Sequence, residues 1–200
     1  MTEPPIELRP ATPADTDAVL ELHLRSRAAY QRAVRPETEL AASAAVLRGR
    51  RDSYYAAMLA APEVDGCCAV RGDRVVGFTL AGPVSHPDPS PGTTDELYKI
   101  HVDPELWGRG IAGRLLGRCV DRWRAAGVVS ARLFVWDFNE RARRFYARNG
   151  WLDDGCRRPD DPRIGPYRMR GYRLTVPAPL SGADPVRPGS SPPGTVPGRG

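Results

Sequence analysis

Two hundred residues with 41% apolar side chains supply enough chain for one hydrophobic core without staples and exclude a repeat array. The longest nearly uninterrupted apolar stretch, 75–84, is far shorter than the ~20 residues that cross a bilayer. The net charge of +5 comes from 28 arginines and a single lysine, Lys99, dispersed among acidic residues, a pattern unlike the basic stripe of a nucleic-acid footprint.

The N-terminal M-T-E-P-P-I-E-L-R-P has no apolar run of the kind a secretory signal needs, so a cytoplasmic protein with neither membrane nor nucleic acid as partner is expected. Cys67, Cys68, Cys119 and Cys156 are scattered and form no C-x-x-C pair, which predicts reduced thiols and no metal site. From Pro177 to Gly200 seven prolines and five glycines stand among 24 residues with no apolar periodicity. Such a segment buries too little to offset its ordering entropy, so a folded domain over 1–176 and a disordered tail over 177–200 are predicted.

Within the domain, residues 6–9 read as a first strand, and Thr12-Pro13 opens a helix that runs to about Tyr30. Its apolar face carries Val19, Leu20, His23 and Leu24, which makes His23 a core or boundary residue. A second helical region spans about 38–60 with a break near 49–53, and Tyr54, Tyr55, Met58 and Leu59 form an apolar patch in it. Residues 66–70 and 74–80 flank Arg71-Gly72-Asp73 as an antiparallel hairpin. Four prolines in 83–92 then exclude helix and central strand and mark a surface loop.

Residues 96–102 read as a strand, 103–109 as a loop and 110–126 as a helix with Ala112, Leu115, Leu116, Cys119, Val120 and Trp123 at helical spacing. A strand over 131–136 and a helix over 140–149, stopped by Asn149-Gly150, complete a strand–turn–helix–strand–helix unit. Its two strands are expected to be a parallel pair with a right-handed crossover. The turn Trp107-Gly108-Arg109-Gly110-Ile111-Ala112-Gly113 brings glycines to a helix N-terminus, where N–H groups without intrahelical acceptors favour an anion. A pyrophosphate-bearing ligand follows from that arrangement. Gly108, Gly110 and Gly113 also satisfy the dinucleotide pattern G-x-G-x-x-G with Asp137 near the ribose position, so an NAD(P)-dependent oxidoreductase is one reading.

The other reading is a family. Residues 96–104 followed by 107–116 resemble the acetyl-CoA signature of the GNAT superfamily of N-acetyltransferases, and Asn139 to Trp151 resembles its following motif. The resemblance implies an α/β fold: a mixed, mostly antiparallel sheet with a central parallel strand pair, flanked by helices. It implies acetyl-CoA as cosubstrate and no metal. Against the family's Q/R-x-x-G-x-G/A pattern the loop reads Trp107-x-x-Gly110-x-Ala112, so tryptophan stands where the family has Gln or Arg. By the same resemblance Ile100 and Val102 would pair their backbones with the pantetheine arm, and Arg109, Gly110, Ile111, Ala112, Gly113 and Arg114 would surround the pyrophosphate. Asn139 would hold the cofactor, and Tyr146, two helical turns on, would protonate the departing thiolate.

An amine of pKa about 10.4 must also lose a proton, which costs roughly 4–5 kcal/mol at neutral pH. Glu96, four residues before Ile100 where the family often carries a glutamate, is by that resemblance the expected base, with Tyr98, His101 and Asp137 in reserve. His101 lies across an ideal strand from Glu96, an assignment that a bulge would reverse. The expected activity is direct acetyl transfer to a primary amine of a small molecule, peptide or protein, with no acyl-enzyme. A non-catalytic acyl-CoA sensor is the further alternative, and a homodimer is expected only by analogy. The helices before Gly66, the loop at 83–94 and the segment 155–170 are expected to shape the acceptor pocket, whose occupant the residues leave open.

Overall fold

The computed structural model describes residues 3–85, 92–158 and 167–178. Its strands are β1 (Ile6–Pro10), β2 (Asp65–Arg71), β3 (Arg74–Pro83), β4 (Thr93–Val102), β5 (Ser130–Trp136), β6 (Leu152–Arg158) and β7 (Met169–Thr175). They form one sheet in the order β1-β2-β3-β4-β5-β7-β6, and every neighbouring pair is antiparallel except β4 with β5. This is the mixed, mostly antiparallel sheet with a central parallel pair that the sequence predicts.

The helices are α1 (Thr16–Gln31), α2 (Glu37–Gly49), α3 (Ala57–Ala60), α4 (Ile111–Ala125) and α5 (Glu140–Arg148). A π-helical turn, Arg51–Ala56, joins α2 to α3 and accounts for the expected break near residue 49. On one face of the sheet, Val19 and Leu22 of α1 pack with Tyr55 of the π-turn against Phe78 and Leu80 of β3. On the other face α4 spans the middle of the sheet. Ile111 and Leu115 cover Cys67, Ala69 and Val76, while Leu116, Cys119 and Trp123 cover Ala131, Leu133 and Val135 beside Tyr146 and Trp151. The close approach of α4 requires Gly77, where a Cβ would stand 3.0 Å from Leu115 Cδ1 and 3.2 Å from Ile111 Cγ2.

Two departures from the expected elements matter. β6 and β7 are strands that period-2 patterning did not mark, because β6 is half solvent-facing and reads Leu-Asp-Asp-Gly-Cys-Arg-Arg. β4 contains the bulge: Leu80 opposes Lys99 and Ala81 opposes Leu97, so Tyr98 is the extra residue. The tail over 177–200 lies outside the described residues except for Pro177 and Ala178, as do 86–91 of the proline-rich loop and 159–166. Among the described residues no helix is long and apolar enough to cross a membrane.

Candidate active site

β4 and β5 part company. Their parallel ladder runs from Thr93↔Ser130 to Leu97↔Leu133 and stops, although β4 continues to Val102 and β5 to Trp136. Each keeps its outer neighbour along that length, Gly77 opposite Val102 and Met169 opposite Trp136. The facing edges alone separate, and a cavity of about 570 Å³ occupies the gap, a size typical of ligand pockets.

The backbone groups that line the gap follow from the strand's alternation. Asp103 N–H donates to the Val76 carbonyl at 2.9 Å, so the residues two and four earlier, His101 and Lys99, also turn their peptide groups to β3. Ile100 and Val102 therefore turn theirs to the gap. The Val102 carbonyl accepts from Trp107 Nε1 at 2.9 Å, and the Trp107 ring in turn carries the Arg141 guanidinium 3.6 Å from its centroid. The tryptophan that departs from the family pattern thus ties the glycine-rich turn to the end of β4 and to α5.

At one end the gap meets the first turn of α4. Gly108 and Gly110 have φ of +82° and +77°, the left-handed conformation open to glycine, and a Cβ on Gly113 would meet nothing within 4 Å. Because Arg114 N–H to Gly110 O, at 3.1 Å, is the first bond of the helix, the N–H groups of Ile111, Ala112 and Gly113 have no intrahelical acceptor. Gly108, Gly110, Ile111, Ala112 and Gly113 all line the cavity. Arg109 and Arg114 do not: Arg109 stands 3.6 Å from Glu3, and Arg114 donates to the Ile6 carbonyl at 2.9 Å. The arginine that lines the cavity beside this loop is Arg141 of α5.

α5 supplies the far wall. Asn139 is its N-cap, with Oδ1 accepting from Ala142 N–H at 3.1 Å, which leaves its amide NH2 for a ligand. Tyr146 lies two turns along the same face and lines the cavity, 7% exposed. Burial pushes its phenol well above the ordinary value, so it holds its proton through the neutral range. Its hydroxyl makes no hydrogen bond among the described residues.

The family model of the acetyltransferase (GNAT) family matches residues 23–151. The chain belongs to the GNAT acetyltransferase family. Its fold is similar to that of PaiA N-acetyltransferase from Thermoplasma acidophilum, solved in complex with coenzyme A. The two share 16% identity over 86% of this chain and 99% of that one, with a TM-score of 0.69. A GNAT-family acetyltransferase from Desulfovibrio desulfuricans is 23% identical over 86% of this chain and 100% of its own, with a TM-score of 0.63. Two curated relatives are mycothiol acetyltransferases. The one from Beutenbergia cavernae is 41% identical over 58 residues, and the one from Acidimicrobium ferrooxidans 37% over 81 residues. These matches span only 20% and 26% of those relatives, and 29% and 40% of this chain.

Membership of the GNAT family sets aside the dinucleotide reading, and the geometry gives the reason. The mixed antiparallel sheet is not a doubly wound parallel one, and Asp137 is held by Arg170 and by Arg143 at 3.6 Å, outside the cavity lining.

The expected bases fare differently. Glu96 is buried, and Oε2 accepts from Arg132 Nε at 3.1 Å, from the other Arg132 nitrogen at 3.0 Å and from Ser85 Oγ at 2.9 Å. Arg158 approaches Oε1 at 3.6 Å, and Glu96 is absent from the cavity lining. Tyr98 lines the cavity but donates to the Pro83 carbonyl, and burial raises its phenol to about 12. His101 lines it too, 3.1 Å from Ser26 Oγ, and burial together with Lys99 and Arg27 lowers its pKa to about 3. The bulge at Tyr98 puts Glu96 and His101 on the same face of the sheet, since Glu96 meets Arg132 there and His101 meets α1.

The sequence placed the helices before Gly66 at the acceptor pocket but did not single out which of their side chains line it. His23, Ser26, Arg27 and Tyr30 of α1 line it, with Arg50 and Tyr54 from the π-turn region and Phe134 and Trp136 from β5. His23 is buried, as expected, and its Nδ1 lies 2.6 Å from Tyr55 Oη. Arg27 and Tyr30 recur on the His23 side of the α1 pattern, but only the parting of the strands shows that this face borders a cavity.

Proposed function

We propose that the protein transfers the acetyl group of acetyl-CoA directly to a primary amine. The observation that carries this reading is the gap between β4 and β5, continuous with the bare N–H groups at the start of α4. When bound, acetyl-CoA supplies an acetyl thioester that a neutral amine can attack. The free N–H groups of Ile111, Ala112 and Gly113 suit its pyrophosphate, and the Ile100 and Val102 edge suits the two amides of its pantetheine arm. The Asn139 amide and the Tyr146 phenol face that arm from α5, and Tyr146 is the proton donor to the departing thiolate.

No described residue of the lining is a carboxylate, so the amine loses its proton by another route. Arg27, Arg50 and Lys99 disfavour a further positive charge and lower the pKa of an ammonium that enters beside them. Glu96 then acts as the partner of Arg132 rather than as a base. The amino groups of small molecules, peptides and proteins are all acceptors within this reading.

The test is CoA release from acetyl-CoA with a panel of primary amines, together with thermal melting. Acetyl-CoA at about 100 times its Kd is expected to add roughly 2.7 kcal/mol of stability. Tyr146→Phe is expected to keep that shift and lose about 100-fold in kcat. Absence of the shift, or full activity in Tyr146→Phe, contradicts the assignment.

A further inference from the structure

Lys99, the single lysine of the chain, directly follows the β4 bulge, and its ammonium lies 5.0 Å from the centroid of the Tyr54 ring. The Arg50 guanidinium lies 4.8 Å from the same centroid. Arg27, across the cavity on α1, donates from Nε to Gln31 Oε1 at 3.2 Å. None of the three pairs with a carboxylate among the described residues. The contrast with their neighbours is sharp, because Arg48 pairs with Glu21 at 3.0 Å, and Arg51 with Asp17 and Asp52, all on the outer surface. The chain has acids to offer, and the described lining contains none of them while holding Arg27, Arg50, Lys99, Arg141 and Arg148. His23 and His101 between them stay neutral.

Cations gathered without counter-charges repel one another, and the Tyr54 ring face offsets only part of that cost. An anionic group on a ligand would remove it. The cofactor's own pyrophosphate is not that group. Three residues separate Lys99 from Asp103, four steps or roughly 13 Å of extended chain, and the turn proposed to bind phosphate lies beyond them. Lys99 stands instead at the closed end of the gap, where the strands rejoin and a thioester carried on the pantetheine arm would end.

We infer that the acceptor is an amine that also carries an anionic group, a carboxylate or a phosphate, held by Lys99, Arg50 and Arg27. The inference rests on the acetyl-transfer reading above and narrows it. A polyamine or a polycationic antibiotic would meet like charge at the closed end. An amino acid, a phosphorylated amine or an acidic peptide would meet opposite charge, with its nucleophile directed toward the bulge.

Matched acceptors test this on the full chain with acetyl-CoA: O-phosphoethanolamine against ethanolamine, γ-aminobutyrate against butylamine, and spermidine alone. The expected result is a kcat/KM at least tenfold higher for the anionic member of at least one pair, with the favoured pair identifying phosphate or carboxylate. In Lys99→Gln, and independently in the exposed Arg50→Gln, that ratio is expected to fall toward one through KM while acetyl-CoA still raises Tm. Turnover of ethanolamine and butylamine equal to or faster than that of both anionic partners, or of spermidine faster than that of every anionic acceptor, overturns the inference and leaves acetyl transfer standing. So does an unchanged ratio in both variants. Binding of acetyl-CoA with no turnover of any amine overturns both.

Discussion

A carboxylate taken out of water needs a cationic or hydrogen-bonding partner, and Glu96 finds several: Arg132, Ser85 and Arg158. None is near it in sequence, Arg132 being 36 residues away, so a strand-end glutamate could not be told from a catalytic base before the strands were paired. That Asn139 and Tyr146 share one face of α5 was legible because their two-turn spacing on one helix needs no tertiary information. The directions of Arg109 and Arg114 were not, since a side chain beside a glycine-rich turn can face either way, and these stand toward Glu3 and Ile6. Glu96→Gln is expected to break a buried pair and cost about 3 kcal/mol, roughly 10 °C in Tm. Its kcat below the melting range should fall less than tenfold. A loss of 100-fold or more, with the acidic limb of the pH–rate profile gone, would restore Glu96 as the base.

At the scale of elements, two glycines at the start of α4, Gly110 and Gly113, do different work. Gly110 is its N-cap at φ +77°, so Gly110→Ala strains the backbone and should destabilise by about 1 kcal/mol while weakening acetyl-CoA binding. Gly113 has an ordinary helical conformation and open space around it. Gly113→Ala is therefore expected to keep or slightly raise Tm, by helix propensity, yet raise the KM for acetyl-CoA severalfold by placing a methyl group in the cradle. Parallel changes in Tm and KM for Gly113→Ala would show that the residue is only structural. The amphipathic pattern of α4 was plain in the sequence, whereas the β4 bulge was not: one extra residue leaves the composition of a strand unchanged and reverses the facing of all that follows.

For the whole molecule, the sequence made the layered α/β architecture legible through the alternation of strand and helix, but not the order of the sheet at β7 and β6. It also leaves two imidazoles on the cavity's α1 side, His23 buried and His101 half-buried, their rings 4.4 Å apart. Burial, with the positive charges of Lys99 and Arg27, holds both below the ordinary histidine value, His101 at about 3. The unfolded chain takes up protons below about pH 6.5 that the folded protein refuses, so stability should fall as pH drops from 6.5 toward 3. Asp15, held at about 2 chiefly by its bond to Arg9, adds a further loss only below about pH 4. Urea unfolding is expected to give about 2 kcal/mol less stability at pH 5.5 than at 7.5, with His101→Gln removing roughly half of the difference. Equal stability at the two pH values would contradict the assignment of both rings as neutral.

The parting of β4 and β5 has a mechanical side as well. Two half-sheets, β1 to β4 and β5 to β7, share a ladder only between residues 93–97 and 130–133, with α4 laid across both as a brace. The arm proposed to lie in the gap would take the place of a missing strand, beside the Ile100 and Val102 edge that turns away from β3. On the proposed reading, cofactor binding would also join the two half-sheets, along the seam where their shared ladder stops at Leu97 and Leu133.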